Sequence, residues 1–298
     1  MITPPRRDAR FGSSTRRAGG DARNLLLRVA SAVVLVPTVL VLAYVGGWFF
    51  LALCALAAAG ILWEWARLVT GRSDLRILLP GWAALAVALA STGTDQSASA
   101  AIALTAGAVL AGLLGFALSG SRDRDGHVFW AVGGVAYAGI AFLGPALLRQ
   151  KAGLGLLAFL FVAAIVWLTD ICAFAAGRMI GGPLLWPSIS PNKTWSGALG
   201  GLLGGIAGGV LVAYAGGIGR LAIPALLAAL LSVLAQAGDL LESAIKRRFG
   251  AKDTSQLIPG HGGLMDRLDG FVVACVAALL IGLLHQGTTA PAQGLLIW

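Results

Sequence analysis

Apolar runs of membrane-spanning length succeed one another along nearly the whole chain, at 27–45, 48–66, 77–93, 98–118, 128–148, 153–175, 196–218, 221–243 and 268–286. A bilayer core is crossed by roughly 20 predominantly apolar residues in helical conformation. The chain is therefore expected to be all-α, a polytopic integral membrane bundle of about nine transmembrane helices. Composition agrees: 58% of the 298 residues are hydrophobic and 12% are charged, far from the soluble norm. Three stretches are expected: a disordered basic tail over 1–24, N-terminal transmembrane helices over 25–150, and C-terminal helices over 151–298 that carry the chemistry. The leader does not have the build of a cleaved signal. The pair Arg16-Arg17 is followed by Ala18-Gly19-Gly20, not by the apolar residue a twin-arginine signal requires.

Orientation follows from lysine and arginine, which concentrate in short cytoplasmic loops. Arg6, Arg7, Arg10, Arg16, Arg17, Arg23 and Arg28 place the N-terminus in the cytoplasm, the membrane being the inner (cell) membrane. Counting spans then puts Arg67, Arg72, Arg76, Arg122 and Arg124 inside, with Arg149 and Lys151 as an exception outside. The loops 176–195 and 244–267 both fall on the cytoplasmic side.

A net charge of +9 in such a chain reflects this bias and contact with anionic membrane lipids. No basic strand interleaved with aromatics supports nucleic-acid binding. Cys54, Cys172 and Cys275 lie in or beside apolar runs at no metal-ligand spacing, and His127, His261 and His285 are scattered, so a zinc cluster has little to build from. Gly200, Gly204 and Gly208, with a second row at 201, 205 and 209, line one helical face and permit close backbone approach. Such a face also suits a homodimer.

The carboxylates are distributed with more purpose. Asp170, Asp239, Glu242, Asp253, Asp266 and Asp269, six of the thirteen acids, sit at or near the cytoplasmic ends of the last four spans. An ionised acid within a span costs about 2.5–3.5 kcal/mol on insertion scales, so it faces a partner, a metal or water. Asp266 and Asp269 stand at i and i+3, side by side on a helix, and repel unless a cation lies between them. Hard oxygen ligands suit Mg²⁺, completed by substrate phosphates. Lys193, Lys246, Arg247, Arg248, Lys252 and Arg267 supply donors for an anion, and Gly260, Gly262 and Gly263 let backbone N–H groups approach one. Acids for a metal beside bases for phosphates equip a site for phosphoryl or nucleotidyl transfer.

The segment SAIKRRFGAKDTSQLIPGHGGLMDRLD, Ser243 to Asp269, resembles the signature of the phosphatidate cytidylyltransferases (CDP-diacylglycerol synthases) at Ser243, Lys246, Arg247, Lys252, Asp253, Pro259, His261, Gly262, Gly263, Asp266, Arg267 and Asp269. A second stretch is similar to the family's other cytoplasmic motif through Asp170, Gly177, Arg178, Gly181, Ser190-Pro191, Lys193, Thr194 and Gly197, and Asp239 to the acid upstream of the signature. The motifs cover the C-terminal 130 residues; the first 150 match in hydropathy, with Trp63-Glu64-Trp65 as an addition. Phe174 and Ser196 depart from the tyrosine and glutamate the family usually carries.

The resemblance implies transfer of CMP from CTP to phosphatidate, giving CDP-diacylglycerol and pyrophosphate with Mg²⁺. A lipid phosphate is already anionic, so the demand is for charge neutralisation and in-line alignment. The expected metal ligands are Asp266, Asp269 and Asp239, with Asp170 as a candidate for a second cation. Lys246, Arg247 and His261 complete the expected catalytic set. Lys193, Thr194, Arg178, Ser243, Lys252, Asp253, Gly262, Gly263 and Arg267 are expected to bind substrate. Two other readings are available: a secondary transporter using Glu64 and Asp170 as ion sites, and a CDP-alcohol phosphotransferase-like enzyme suggested by DRLDG. The second lacks the Ala-Arg and further acids that should follow. A P-loop at Asn192-Lys193-Thr194 fails because Pro187 and Asn192 stand where glycines are needed.

Overall fold

The computed structural model describes residues 14–118, 124–150, 153–258, 260, 262–287 and 290–298. Its helices are α1 (Ser14–Val45), α2 (Gly47–Thr70), α3 (Leu75–Gly93), α4 (Ser97–Leu118), α5 (Arg124–Gln150), α6 (Leu154–Ile180), α7 (Trp195–Ala215), α8 (Ala222–Arg248), α9 (Met265–Gln286) and the short α10 (Pro291–Leu296). Among the described residues, α2 to α9 are the eight helices long and apolar enough to cross a membrane, while Val29–Val45 of α1 is a shorter apolar stretch. Helices answer the demand of hydrocarbon, where each backbone N–H and C=O must be satisfied within its own segment. The protein is an integral membrane helical bundle.

Two differences from the expected boundaries matter. Residues 14–24, assigned above to a disordered tail, are the first turns of α1; the arginines and alanines there are good helix formers. The loop after α6 is not wholly irregular. It carries an antiparallel hairpin of β1 (Leu184–Trp186) and β2 (Ser190–Thr194), with Leu184 opposite Thr194 and Trp186 opposite Ser190.

Local chemistry sets the helix ends. Gly71, at φ 73°, closes α2 with its N–H on the Arg67 carbonyl, the left-handed position that glycine occupies without a Cβ clash. Asp74 caps α3, accepting from Arg76 N at 3.0 Å, and the hydrogen-bonded Arg76 guanidinium holds its carboxyl below the usual carboxylate range. Thr194 caps α7, its Oγ1 accepting from Gly197 N at 3.1 Å.

One apolar core packs among α2 to α5 and another among α6 and α8 to α10. Phe159 of α6 joins them, edge-on to Phe50 at 5.1 Å and to Phe271 of α9 at 5.9 Å. The glycine rows of α7 are consumed inside the chain. A Cβ on Gly204 would stand 2.5 Å from Cys172 Sγ, one on Gly205 2.5 Å from Thr169 Oγ1, and one on Gly209 2.6 Å from Ala228 Cβ. Contacts that close press α7 onto α6 and α8, so this face is not free to bind a second copy.

Arg149, the exception to the charge count, is explained by a tertiary contact. Its Nε donates to Ala43 O at 2.5 Å and its guanidinium to Tyr44 O at 3.0 Å. These carbonyls end α1 and have no partner within their own helix, so capping places this arginine. Lys151 and Arg122 lie outside the described residues.

Candidate active site

The ends of α6, α8 and α9, the hairpin and the loop 249–264 enclose a cavity of about 820 Å³. Asp170 and Arg178 enter it from α6, Lys193 and Thr194 from β2, Asp239 and Lys246 from α8. Asp253, Asp266, Arg267 and Asp269 complete its charged lining. The two motif loops, separated in sequence by two spans, thus build one site.

Other expected site residues stand beside this cavity. Ser243 Oγ is 3.5 Å from Asp239 Oδ1, one helical turn away. Arg247 donates to Ile189 O at 3.3 Å and Ala251 O at 3.0 Å, tying the hairpin to the second loop. Lys252 is exposed in that loop. The glycines do not offer their N–H groups to a ligand: Gly262 N donates to Ile258 O at 3.1 Å and Gly263 N to Asp266 Oδ2 at 3.0 Å. The anion Gly263 approaches is the protein's own carboxylate. Gly262, at φ 92°, needs glycine's freedom there. His261 and Pro259 lie outside the described residues.

The acids sort into two linked groups. Carboxylate oxygens of Asp239, Glu242 and Asp269 lie within 4.8 Å of one another. Asp266 is joined to this cluster at Glu242 through Lys246, its Oδ1 accepting from Lys246 Nζ at 2.8 Å, while its Oδ2 accepts from Thr254 N at 3.1 Å and from Gly263 N. Glu242, the third member of the cluster, is not among the expected ligands. A signal for it exists in the sequence, since Asp239 and Glu242 on α8 repeat the i, i+3 spacing of Asp266 and Asp269 on α9. Glu242 is 3% exposed, with the side chains of Lys246 and Asp266 against its carboxylate. Its charge is met by Lys246, 2.6 Å away.

The bases also differ in availability. Lys193 pairs with Asp239 at 2.5 Å, the two side chains being 28% and 36% exposed. A pair that wet is worth only about 0.2–1 kcal/mol, so a polyanion can take the lysine over. Lys246 is held between Glu242 and Asp266 with side chains 11%, 3% and 8% exposed. Breaking so buried a pair costs about 3–5 kcal/mol. Lys246 is thus a fixed brace, whereas Lys193 is exchangeable.

Sequence reasoning gave Glu64 little weight, yet it reaches this region from α2. Fully buried, it accepts from Ser255 Oγ at 2.5 Å, Met265 N at 2.6 Å, Leu264 N at 2.8 Å and Thr254 Oγ1 at 3.2 Å. Ser196, standing where the resemblance expects glutamate, donates to Gly181 O at 2.5 Å and ties the C-cap of α6 to the first turn of α7. Phe174 lines the cavity.

A carboxylate cluster beside an exchangeable lysine, at the ends of membrane-spanning helices, defines an integral membrane protein equipped for chemistry on phosphates. The chain belongs to the Cytidylyltransferase family, whose model matches residues 26–284. It is similar to the phosphatidate cytidylyltransferase of Brucella suis, 40% identical over 269 residues that cover 90% of this chain and 97% of that one. The Brucella abortus protein of the same name is 40% identical over 260 residues, 87% of this chain and 93% of its own. That of Staphylococcus saprophyticus is 42% identical over 139 residues, 46% of this chain and 52% of its own. The family match takes in the N-terminal helices, where the sequence alone offered little beyond hydropathy.

Proposed function

We propose that this chain transfers CMP from CTP to phosphatidate, forming CDP-diacylglycerol and pyrophosphate in phospholipid biosynthesis. A phosphate oxygen of the lipid attacks the α-phosphorus of CTP, the bond to the β-phosphate breaks, and pyrophosphate leaves. The observation that carries this reading is the Asp239, Glu242 and Asp269 cluster, which presents Asp239 and Asp269 to a cavity lined by Lys193, Arg178 and Arg267, with buried Glu242 behind them. The donor set suits a hard cation: it is all oxygen, with one atom from each of three carboxylates converging within 4.8 Å. Asp239, Glu242 and Asp269 would hold Mg²⁺, with Asp170 across the cavity for a second cation. Bound Mg²⁺ supplies charge neutralisation on phosphate oxygens. Lys193 exchanges Asp239 for a triphosphate oxygen, and Arg178 and Arg267 orient the remaining phosphates. Lys246 holds Asp266 and Glu242 in register. Thr194 acts through its cap, which sets where β2 delivers Lys193.

The transporter reading loses one of its ion sites, because Glu64 spends both oxygens on donors from the 254–265 segment. Purified protein given phosphatidate and labelled CTP is expected to form CDP-diacylglycerol only when Mg²⁺ is supplied. Chelation should abolish the product and added Mg²⁺ restore it. Absence of product at millimolar Mg²⁺, with substrate flux across sealed vesicles, would replace the enzyme with a transporter.

The site is further proposed to face the cytoplasm, where CTP is available, in the inner membrane. Ser188 and Gln256 are exposed on the two motif loops. Single cysteines placed there, with Cys54, Cys172 and Cys275 removed, are expected to react with an impermeant thiol reagent only from the cytoplasmic face. Labelling from opposite faces would break the single-site arrangement.

A further inference from the structure

Glu64 is a carboxylate inside a spanning helix, and it touches no substrate-facing surface: it does not line the cavity. Its four donors all come from one short stretch 190 to 201 residues further along the chain. Two are side-chain hydroxyls of the signature loop, and two are backbone N–H groups at the start of α9. Those N–H groups belong to the first turn, which has no partner within its own helix. Leu264, at the N-cap position of α9, offers no side-chain acceptor. The cap that a local serine or aspartate ordinarily supplies comes instead from α2, and a negative charge there also meets the positive end of the helix dipole.

Asp266 grips the same loop from the other side. Thr254 is held twice, its N–H by Asp266 Oδ2 and its hydroxyl by Glu64 Oε2. The fit leaves no room at Gly263, where an added Cβ would stand 2.8 Å from Asp266 Oδ2 and 3.0 Å from Glu64 Oε1. One turn into α9 stands Asp269, and immediately before Thr254 stands Asp253, both on the cavity.

We infer that Glu64 is a positioning residue for the transfer: from α2 it fixes the 254–264 loop and the first turn of α9, and so sets Asp269 against Asp239 and Glu242. The inference rests on the transferase reading above. Lys193 and Arg178 sit on β2 and α6, which Glu64 does not reach, so their hold on the nucleotide is independent of it, whereas Arg267 and Asp269 ride on the start of α9 that it fixes.

Glu64→Gln keeps size but puts an amide NH₂ where donors converge, so some of the four bonds fail. A displacement near 1 Å at a reacting centre costs up to about 10²-fold. The variant is expected to lose about tenfold or more in kcat per folded molecule, with a smaller rise in KM for CTP because Lys193 and Arg178 keep their places. A thiol placed at Gln256 should label several-fold faster in the Glu64→Gln background, reporting the released loop without reference to activity. Ser255→Ala removes one donor at a half-buried position and guards against a Glu64 variant that does not fold. It should show a smaller loss of the same kind, and in the double variant the two losses should be less than additive, as for partners in one contact. Wild-type kcat and labelling rate in folded Glu64→Gln, or a loss explained wholly by less folded protein, would overturn the inference. If the unmutated protein makes no CDP-lipid, the transferase reading fails, and the labelling rates alone then decide whether Glu64 anchors the loop.

Discussion

Asp269→Asn is expected to abolish most turnover while leaving the protein at least as stable as before. The substitution keeps the shape of the side chain and removes one of three charges converging within 4.8 Å. Losing a group that stabilises transition-state charge typically costs about 10²–10³-fold in kcat, and a loss of at least about 10²-fold is expected here. Without a cation the three acids repel one another, so removing one relieves strain. Turnover and detergent melting temperature measured on the same preparation check both halves. An active Asp269→Asn enzyme would remove the cluster from the mechanism.

Asp266→Asn should behave differently, although the residue lies only three positions away. Its carboxylate shares Lys246 with Glu242 and accepts from Thr254 N and Gly263 N. The asparagine leaves Lys246 with one carboxylate in place of two in a site shielded from water. Breaking a buried pair by removing one partner costs about 3–5 kcal/mol, and the surviving Glu242 contact keeps the expected loss toward or below the low end of that range. Both melting temperature and turnover should therefore fall, the latter because the loop that presents Asp253 and the start of α9 is released. A metal-ligand role for Asp266, which its i, i+3 spacing from Asp269 suggests, predicts a stable, inactive protein instead. A stable, inactive Asp266→Asn would return Asp266 to the metal, and a stable, active one would leave it no role at all.

Much of the protein was legible in its residues because the bilayer imposes one length and one conformation on every crossing. Apolar runs translated directly into α2 to α9, with ends shifted by several residues where polar helix formers such as Lys246 and Arg247 continue a helix past its apolar part. The cytoplasmic acids and bases were visible for a related reason: charge is costly near hydrocarbon, so each charge that persists there has a use. Asp170, Lys193, Asp239, Lys246, Asp253, Arg267 and Asp269 all line one cavity.

Which charge meets which was decided only by the packing of helices distant in sequence. An i, i+3 pair shares a helix face, but the crossing of α8 and α9 determines that Asp269 joins Asp239 and Glu242 while Asp266 turns to Lys246. The bases looked like a uniform reserve for an anion; burial separates the braced Lys246 from the exchangeable Lys193. The glycine face of α7 announced close packing, and the partner proved to be α6 and α8. Arg149 and Glu64 lay beyond any local rule, because their partners stand 106 and up to 201 residues away. Hydropathy and helical spacing are properties of neighbours in sequence, so the sequence by itself determined the class of fold and the chemical kind of site. The pairing of charges, being short-ranged and directional, waited on the tertiary structure.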